Sequence, residues 1–195
     1  MPISYVSFEE EVRIPDDALN LSGFRRWVHS EDFPERGKVA FIDGEIVVDM
    51  SPEEFDSHGS IKSDLHAQLW LFVSKHKLGR VLADGTLLIN EAAELSTEPD
   101  IMFCSNGSLQ SKRVYWREVV VGSGRFVELA GSPDLVVELI SRHSERKDRI
   151  LLRDAYFAAG ISEYWLIDAR GNEIDFKLLT RGESGFVETA ADDDG

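Results

Sequence analysis

The run Leu135-Val136-Val137-Glu138-Leu139-Ile140 constrains this chain more than any other feature. An apolar run of this kind, opened by Pro133-Asp134, predicts a strand buried on both faces in the middle of a sheet. Such a strand has no ready place for a carboxylate. Burying one is costly unless it is paired or ligates a metal ion. Glu138 would share a strand face with Val136 and Ile140. Two accounts stay open from the residues alone: a functional carboxylate, or an edge-strand side chain that reaches solvent or an arginine.

The surrounding pattern predicts a mixed α+β chain. Leu21 to His29 reads as a helix capped by Asn20 or Ser22, with Leu21, Phe24, Trp27 and Val28 on one face. Lys38 to Ile42 and Glu45 to Asp49 are β-branched runs around Asp43-Gly44, a strong signal for a tight hairpin. Ser51-Pro52 marks a boundary, and a long helical pattern then runs through Ile61, Leu65, Leu69, Phe72 and Val73 to a stop near Gly79. Further strands are expected at Thr86–Ile89, Pro99–Cys104, Glu163–Asp168 and Glu173–Leu179, with a second hairpin around Gly122-Ser123-Gly124. Ser144 to Ala159 reads as a helix closed by Gly160. Residues 1–14 read as an arm or short edge strand, Pro15 to Asn20 as a loop, and residues 190–195 as a disordered acidic tail. No linker divides the 195 residues, so a single domain is expected.

Composition narrows the function classes. The 43% hydrophobic content is enough for a sizeable core, and no apolar stretch approaches the ~20 residues of a membrane span. The N-terminus lacks a basic region followed by an apolar run, so a cytoplasmic protein is expected. One cysteine, Cys104, excludes an internal disulfide and a cysteine-based zinc site. The net charge of −15 (21 Lys+Arg against 36 Asp+Glu) argues against nonspecific coating of nucleic acid, which needs clustered cations. It leaves room for an enzyme that meets DNA through a local patch.

Asp100 is the second carboxylate of interest, because it follows Pro99 at the start of an apolar strand. A turn-capping role fits many Pro-Asp pairs. Two carboxylates on adjacent strands can instead share a hard cation such as Mg²⁺. Asp134 lies four residues from Glu138, about 13 Å along a strand, too far to share an ion with it. It reads as a strand-entry residue.

The sequence resembles the Uma-two family, within the PD-(D/E)XK phosphodiesterase superfamily. The resemblance runs from about Leu21 to Leu179. It rests on Phe41-Ile42-Asp43-Gly44-Glu45-Ile46, on His58-Gly59, and on Glu98-Pro99-Asp100. Its most specific part is Ser132 to Ser141, followed by Lys147-Asp148, Tyr156, Ala159-Gly160-Ile161 and Glu163 to Asp168. The resemblance implies a restriction-endonuclease-like mixed sheet flanked by helices, with Asp100 and Glu138 as the metal pair. It also implies Mg²⁺-dependent (or Mn²⁺-dependent) hydrolysis of DNA and a homodimer.

The chain departs from that pattern where the superfamily places its lysine. Two residues after Glu138 stands Ile140. The alternative position on the next helix, four residues after Asp148, holds Leu152. Lys147 and Arg153 are the neighbouring cations expected to steady the water or the developing charge, with Lys147 favoured because it is nearer the Glu138 strand. His58 either caps its helix or reaches the metal site. The leading expectation is a metal-dependent DNA endonuclease, with Asp100, Glu138, Lys147, Arg153 and His58 as candidate site residues. The alternative is a noncatalytic interaction or regulatory protein that retains the fold.

Overall fold

The computed structural model describes residues 13–34, 37–49, 54–118, 124 and 126–190. The expected N-terminal arm up to residue 12, the Ser51-Pro52 boundary, Gly122-Ser123 and the tail from residue 191 lie outside these. Among the described residues, twelve strands form two six-stranded sheets. The first contains β1 (Lys38–Ile42), β2 (Glu45–Asp49), β4 (Leu87–Asn90), β5 (Leu95–Thr97), β7 (Val114–Glu118) and β8 (Phe126–Gly131), in the order β2-β1-β5-β4-β8-β7. The second contains β3 (Gly79–Ala83), β6 (Ile101–Ser105), β9 (Leu135–Leu139), β10 (Glu163–Asp168), β11 (Asp175–Arg181) and β12 (Phe186–Glu188), in the order β12-β11-β10-β9-β6-β3. The expected mixed, helix-flanked architecture is present, divided between two sheets.

The β1–β2 hairpin turns on Asp43 (φ 48°) and Gly44 (φ 82°). Positive φ at both central positions matches the right-handed twist of the flanking strands. Helix α1 (Leu21–Val28) starts where Asn20 accepts the Gly23 amide. Its buried Leu21, Phe24 and Trp27 pack on Val39, Phe41, Ile89 and Ala130, the outer face of the first sheet. Helix α2 (Ser60–His76) lays Ile61, Leu65 and Leu69 against Ile101, Leu135, Val137 and Leu139, the outer face of the second. It ends at Lys77, in a left-handed conformation, two residues before Gly79 as expected. Gly79 opens β3: a Cβ there would stand 2.0 Å from the Cys104 carbonyl oxygen of the paired β6, so only glycine lets the strands approach.

The main core lies between the sheets. Ala40, Ile42, Leu88 and Leu95 of the first face Met102, Cys104, Val136, Ile140, Tyr164 and Leu166 from the side of the second. Leu152, Ala155 and Tyr156 of α4 (Leu152–Ala158) complete it. The expected helix from Ser144 to Ala159 is therefore shorter in α-helical form, because Lys147–Leu151 forms a π turn ahead of it. Gly160 follows with φ 78°, as a helix stop requires. Pro15 to Asn20, expected as a loop, contains a 3₁₀ turn at Asp16–Leu19. Short α3 (Asn106–Gln110), β3, β5 and β12 carried no sequence signal of their own.

Candidate active site

Strand β9 sits between β10 and β6, and all five of its residues are buried. Its alternation turns Val137 and Leu139 toward α2, and sends Val136, Glu138 and Ile140 to the intersheet side. Glu138 is thus no edge-strand side chain. Asp100 ends the crossing from β5 in the first sheet to β6 in the second. The antiparallel register Ile101↔Val137 brings it beside the Glu138–Leu139 end of β9. Asp100 Oδ2 accepts the Leu139 amide at 2.8 Å, and Oδ1 accepts from Lys38 Nζ at 2.8 Å.

His58 packs at the same corner, 5% exposed. Its Nε2 lies 3.0 Å from the Leu139 carbonyl oxygen and 3.5 Å from Asp100 Oδ2. Donation to that carbonyl requires the proton on Nε2. Burial would by itself raise the Asp100 pKa. The hydrogen bond from His58 and the charge of Lys38 outweigh it and hold the carboxyl well below the usual range. Lys38 is also desolvated, yet the carboxylates of Asp100 and Asp84 keep its ammonium above the ordinary lysine value.

Glu138 is served differently. Its Oε1 accepts the Tyr156 hydroxyl, and its Oε2 lies 3.9 Å from Lys147 Nζ, which is nearer Asp148 Oδ1 at 2.7 Å. Burial pushes Glu138 up to about 8. Lys147 opposes that shift, while the charges of Asp100 and Asp148 add to it. Lys147 is itself desolvated, but Glu138 and Asp148 more than offset this and hold its charge.

Lys147 reaches the cleft because of the π turn. On an ideal α-helix it would stand some 140° around the axis from Leu152. Here the Leu152 amide bonds the Lys147 carbonyl, an i→i+5 link that brings the two residues toward one face. A second π turn, Phe55–Gly59, carries His58.

The cleft encloses about 480 Å³ and is lined by Lys38, Asp49, His58, Asp84, Glu98, Asp100, Glu138, Ser141, Ser144 and Lys147 among others. It gathers four of the five sequence candidates. Arg153 is the exception and needs correcting: its guanidinium donates to the Phe186 carbonyl at 2.9 Å and lines a different cavity, with Arg149 and Phe157. It lies past the π turn, on the flank of α4 that faces β12. Lys38, Lys62 and Asp84 were not singled out by sequence, and Tyr156 was named only as part of the resemblance, not as a site residue. A lysine opening a strand and another in a polar helix turn look like ordinary solvated residues. Asp134 stands apart, accepting from Ser105 N, Ser108 Oγ and Arg113.

The family model described as "Uma2: Putative restriction endonuclease" matches residues 22–194. The chain belongs to the Uma2 family. Among solved structures, a protein described as "a putative nuclease belonging to DUF820" from Anabaena variabilis shares the fold. Its TM-score is 0.52 at 18% identity, over 81% of this chain and 83% of that one. No curated protein matches.

In this Uma2 chain the two positions where the resemblance leads one to expect a lysine are core: Ile140 is 1% exposed and Leu152 0%. The ammonium beside Glu138 comes from Lys147 instead. The donors at the corner are oxygens, the Asp100 and Glu138 carboxylates with the Leu139 carbonyl close by, which is the chemistry of a hard divalent cation. Among the described residues no group of three His, Cys, Asp or Glu is arranged to hold a metal. Two carboxylates with carbonyl or water oxygens to complete the shell are donors of the kind a hard cation such as Mg²⁺ takes. No helix among the described residues is long and apolar enough to cross a membrane.

Proposed function

We propose that this chain is a metal-dependent endonuclease acting on DNA. The observation that carries the reading is the meeting of Asp100, at the entry to β6, with Glu138 of the adjacent β9, in a cleft with a charged Lys147 at 3.9 Å from Glu138. Asp100 and Glu138 would hold Mg²⁺ or Mn²⁺. Such an ion, when bound, polarises a phosphate and lowers the pKa of a coordinated water. The remaining work falls to the chain's own groups. Tyr156 fixes one oxygen of Glu138 and leaves the other toward the cleft. His58 and the Leu139 amide fix Asp100. Lys147 is kept charged, which suits it to stabilise negative charge developing on a phosphate and makes it a poor general base.

Calorimetry with Mn²⁺ and nicking of supercoiled DNA test this together. Wild type binds the ion and nicks. Asp100→Ala abolishes binding, and Lys147→Ala lowers nicking while binding persists. Nicking that survives Glu138→Ala would assign it to another site or a contaminant.

The second reading, a noncatalytic protein with the same fold, draws on the 2.8 Å contact of Lys38 with Asp100, which leaves that carboxylate satisfied without a metal. Metal binding with no cleavage of any nucleic acid would favour it.

A further inference from the structure

Four charged side chains sit together here, and Lys38, Asp84 and Asp100 among them line the cleft. Lys38 Nζ lies 2.8 Å from Asp100 Oδ1 and 3.4 Å from Asp84 Oδ1. Lys62 Nζ lies 2.8 Å from Asp84 Oδ2 and 3.8 Å from Asp100 Oδ1. The two oxygens of Asp100 are not equivalent. Oδ2 is committed to the backbone of β9 through the Leu139 amide, with His58 behind it. Oδ1 is the one held by Lys38, which with Asp100 lines the cleft. An ion entering the cleft would bind Asp100 through Oδ1, and an ammonium already stands there.

The two lysines differ in how they are held. Lys38 opens β1, and its side chain is 35% exposed; Lys62 projects from α2 and is 12% exposed. Asp84, 33% exposed, already lies within ion-pair distance of Lys38. Lys38 can therefore leave Asp100 without losing a carboxylate partner, whereas removing any cation from Asp100 strands a buried charge.

We infer that Lys38 is a built-in counter-ion of the metal site, occupying Asp100 Oδ1 when the site is empty and moving onto Asp84 when a divalent cation takes its place. Metal and ammonium compete for one oxygen, so affinity for the metal is set partly by a residue that is not a ligand. Once displaced, the ammonium remains at the rim of the cleft. This inference rests on the metal-site reading above and adds the exchange to it.

Mn²⁺ calorimetry and thermal melting on the full chain test it, with Lys38→Met and Lys62→Met side by side. Each removes one positive charge from the same corner, so a mere field effect raises affinity similarly in both. Exchange predicts that Lys38→Met binds Mn²⁺ about tenfold more tightly than Lys62→Met does, an ordinary size for coupling between two ligands of one site. It also predicts that metal-free Lys38→Met melts below wild type and that Mn²⁺ raises its melting temperature by more than it raises that of wild type. Equal gains in the two variants, or no gain for Lys38→Met, would overturn the exchange while leaving the metal site standing. Should Lys38→Met fail to fold without metal, Asp84→Asn serves instead. It removes the second berth in an otherwise wild-type chain and is expected to weaken Mn²⁺ binding about tenfold; an affinity equal to that of wild type would overturn the exchange. Absence of Mn²⁺ binding in every protein, wild type included, sinks the metal-site reading itself.

Discussion

Among the described residues, two glutamates lie buried in central strands, one in each sheet, and they are treated in opposite ways. Glu128 of β8 receives Arg25 through two nitrogens, and His29 Nε2 lies 2.9 Å away, both arriving from α1 and its end. Burial would raise its pKa, but hydrogen bonds from His29 and Arg25 outweigh that and hold it down to about 2. Glu138 of β9 receives a tyrosine hydroxyl and a lysine 3.9 Å off that is closer to Asp148, and it is pushed up to about 8. A buried carboxylate whose cations are complete is structural. One left short of positive charge, in a cleft, is what the proposed metal site would use. The distinction lies in the partners, since both residues are nearly inaccessible, at 1% and 2% exposure.

Substitutions at the two sites should separate them sharply. The largest effect expected is on activity: Glu138→Gln should lower Mn²⁺-dependent nicking by at least about 100-fold, the order seen when a group stabilising the transition state is lost. In chelator the same variant should be as stable as wild type or more so, because Gln keeps the shape of a carboxyl that burial already drives toward its protonated form. A large drop in its metal-free melting temperature would put Glu138 in the same class as Glu128. Next in size, Glu128→Gln should lose about 3 kcal/mol of stability, the order for breaking a buried pair. For a chain of this length that corresponds to about 6–12 °C in melting temperature. Its Mn²⁺ affinity should be unchanged.

The pH dependence should have opposite signs. Glu128 has a folded pKa of about 2 against an ordinary 4.5, so its contribution is full above 4.5 and is lost as pH falls toward 2. Metal-free Glu138 has a folded pKa of about 8 against 4.5. The folded state binds the extra proton between these values, so stability declines as pH rises from 4.5 to 8. Chemical denaturation across pH in chelator reads both slopes, and each Gln variant should remove one of them. The smallest effect belongs to Arg153→Ala. It loses one hydrogen bond to the Phe186 carbonyl, about 1 kcal/mol or less, and should leave nicking at the wild-type level. A fall in nicking comparable with that of Lys147→Ala would return Arg153 to the cleft.

The contrast also marks what a sequence can carry. Glu138 was legible because its neighbours on both sides are apolar, an anomaly visible within six residues. Glu128 follows Phe126 and Val127 and reads as an ordinary strand glutamate; its partners lie 99 and 103 residues away. The β1–β2 hairpin, α1 and the body of α2 were legible from local turn chemistry and periodicity. β5, three residues long, and β3, which needs Gly79 to approach β6, are defined by their pairing. Lys147 was found by proximity, but a helical wheel turned it away from the cleft. One π turn reverses that geometry, and no residue type announces such a turn. Lys38 was missed because nothing in its own neighbourhood marks it.

The chain crosses between the two sheets where it forms the cleft: through Asp84 on the way from β3 to β4, and through Asp100 from β5 to β6. Lys38 belongs to the first sheet and grips a carboxylate that is pinned to the second. That contact works as a stitch across a seam. Unpicking it frees one end of the β1–β2 hairpin from the opposite layer, so whatever holds Asp100 Oδ1 also sets how tightly the two halves of the molecule are clasped. Amide hydrogen exchange along β1 and β2, strands far from any ligand oxygen in sequence, should therefore register the state of the cleft: protection at the Lys38 end changes with Mn²⁺, while protection on α1 and β8 around Glu128 stays constant.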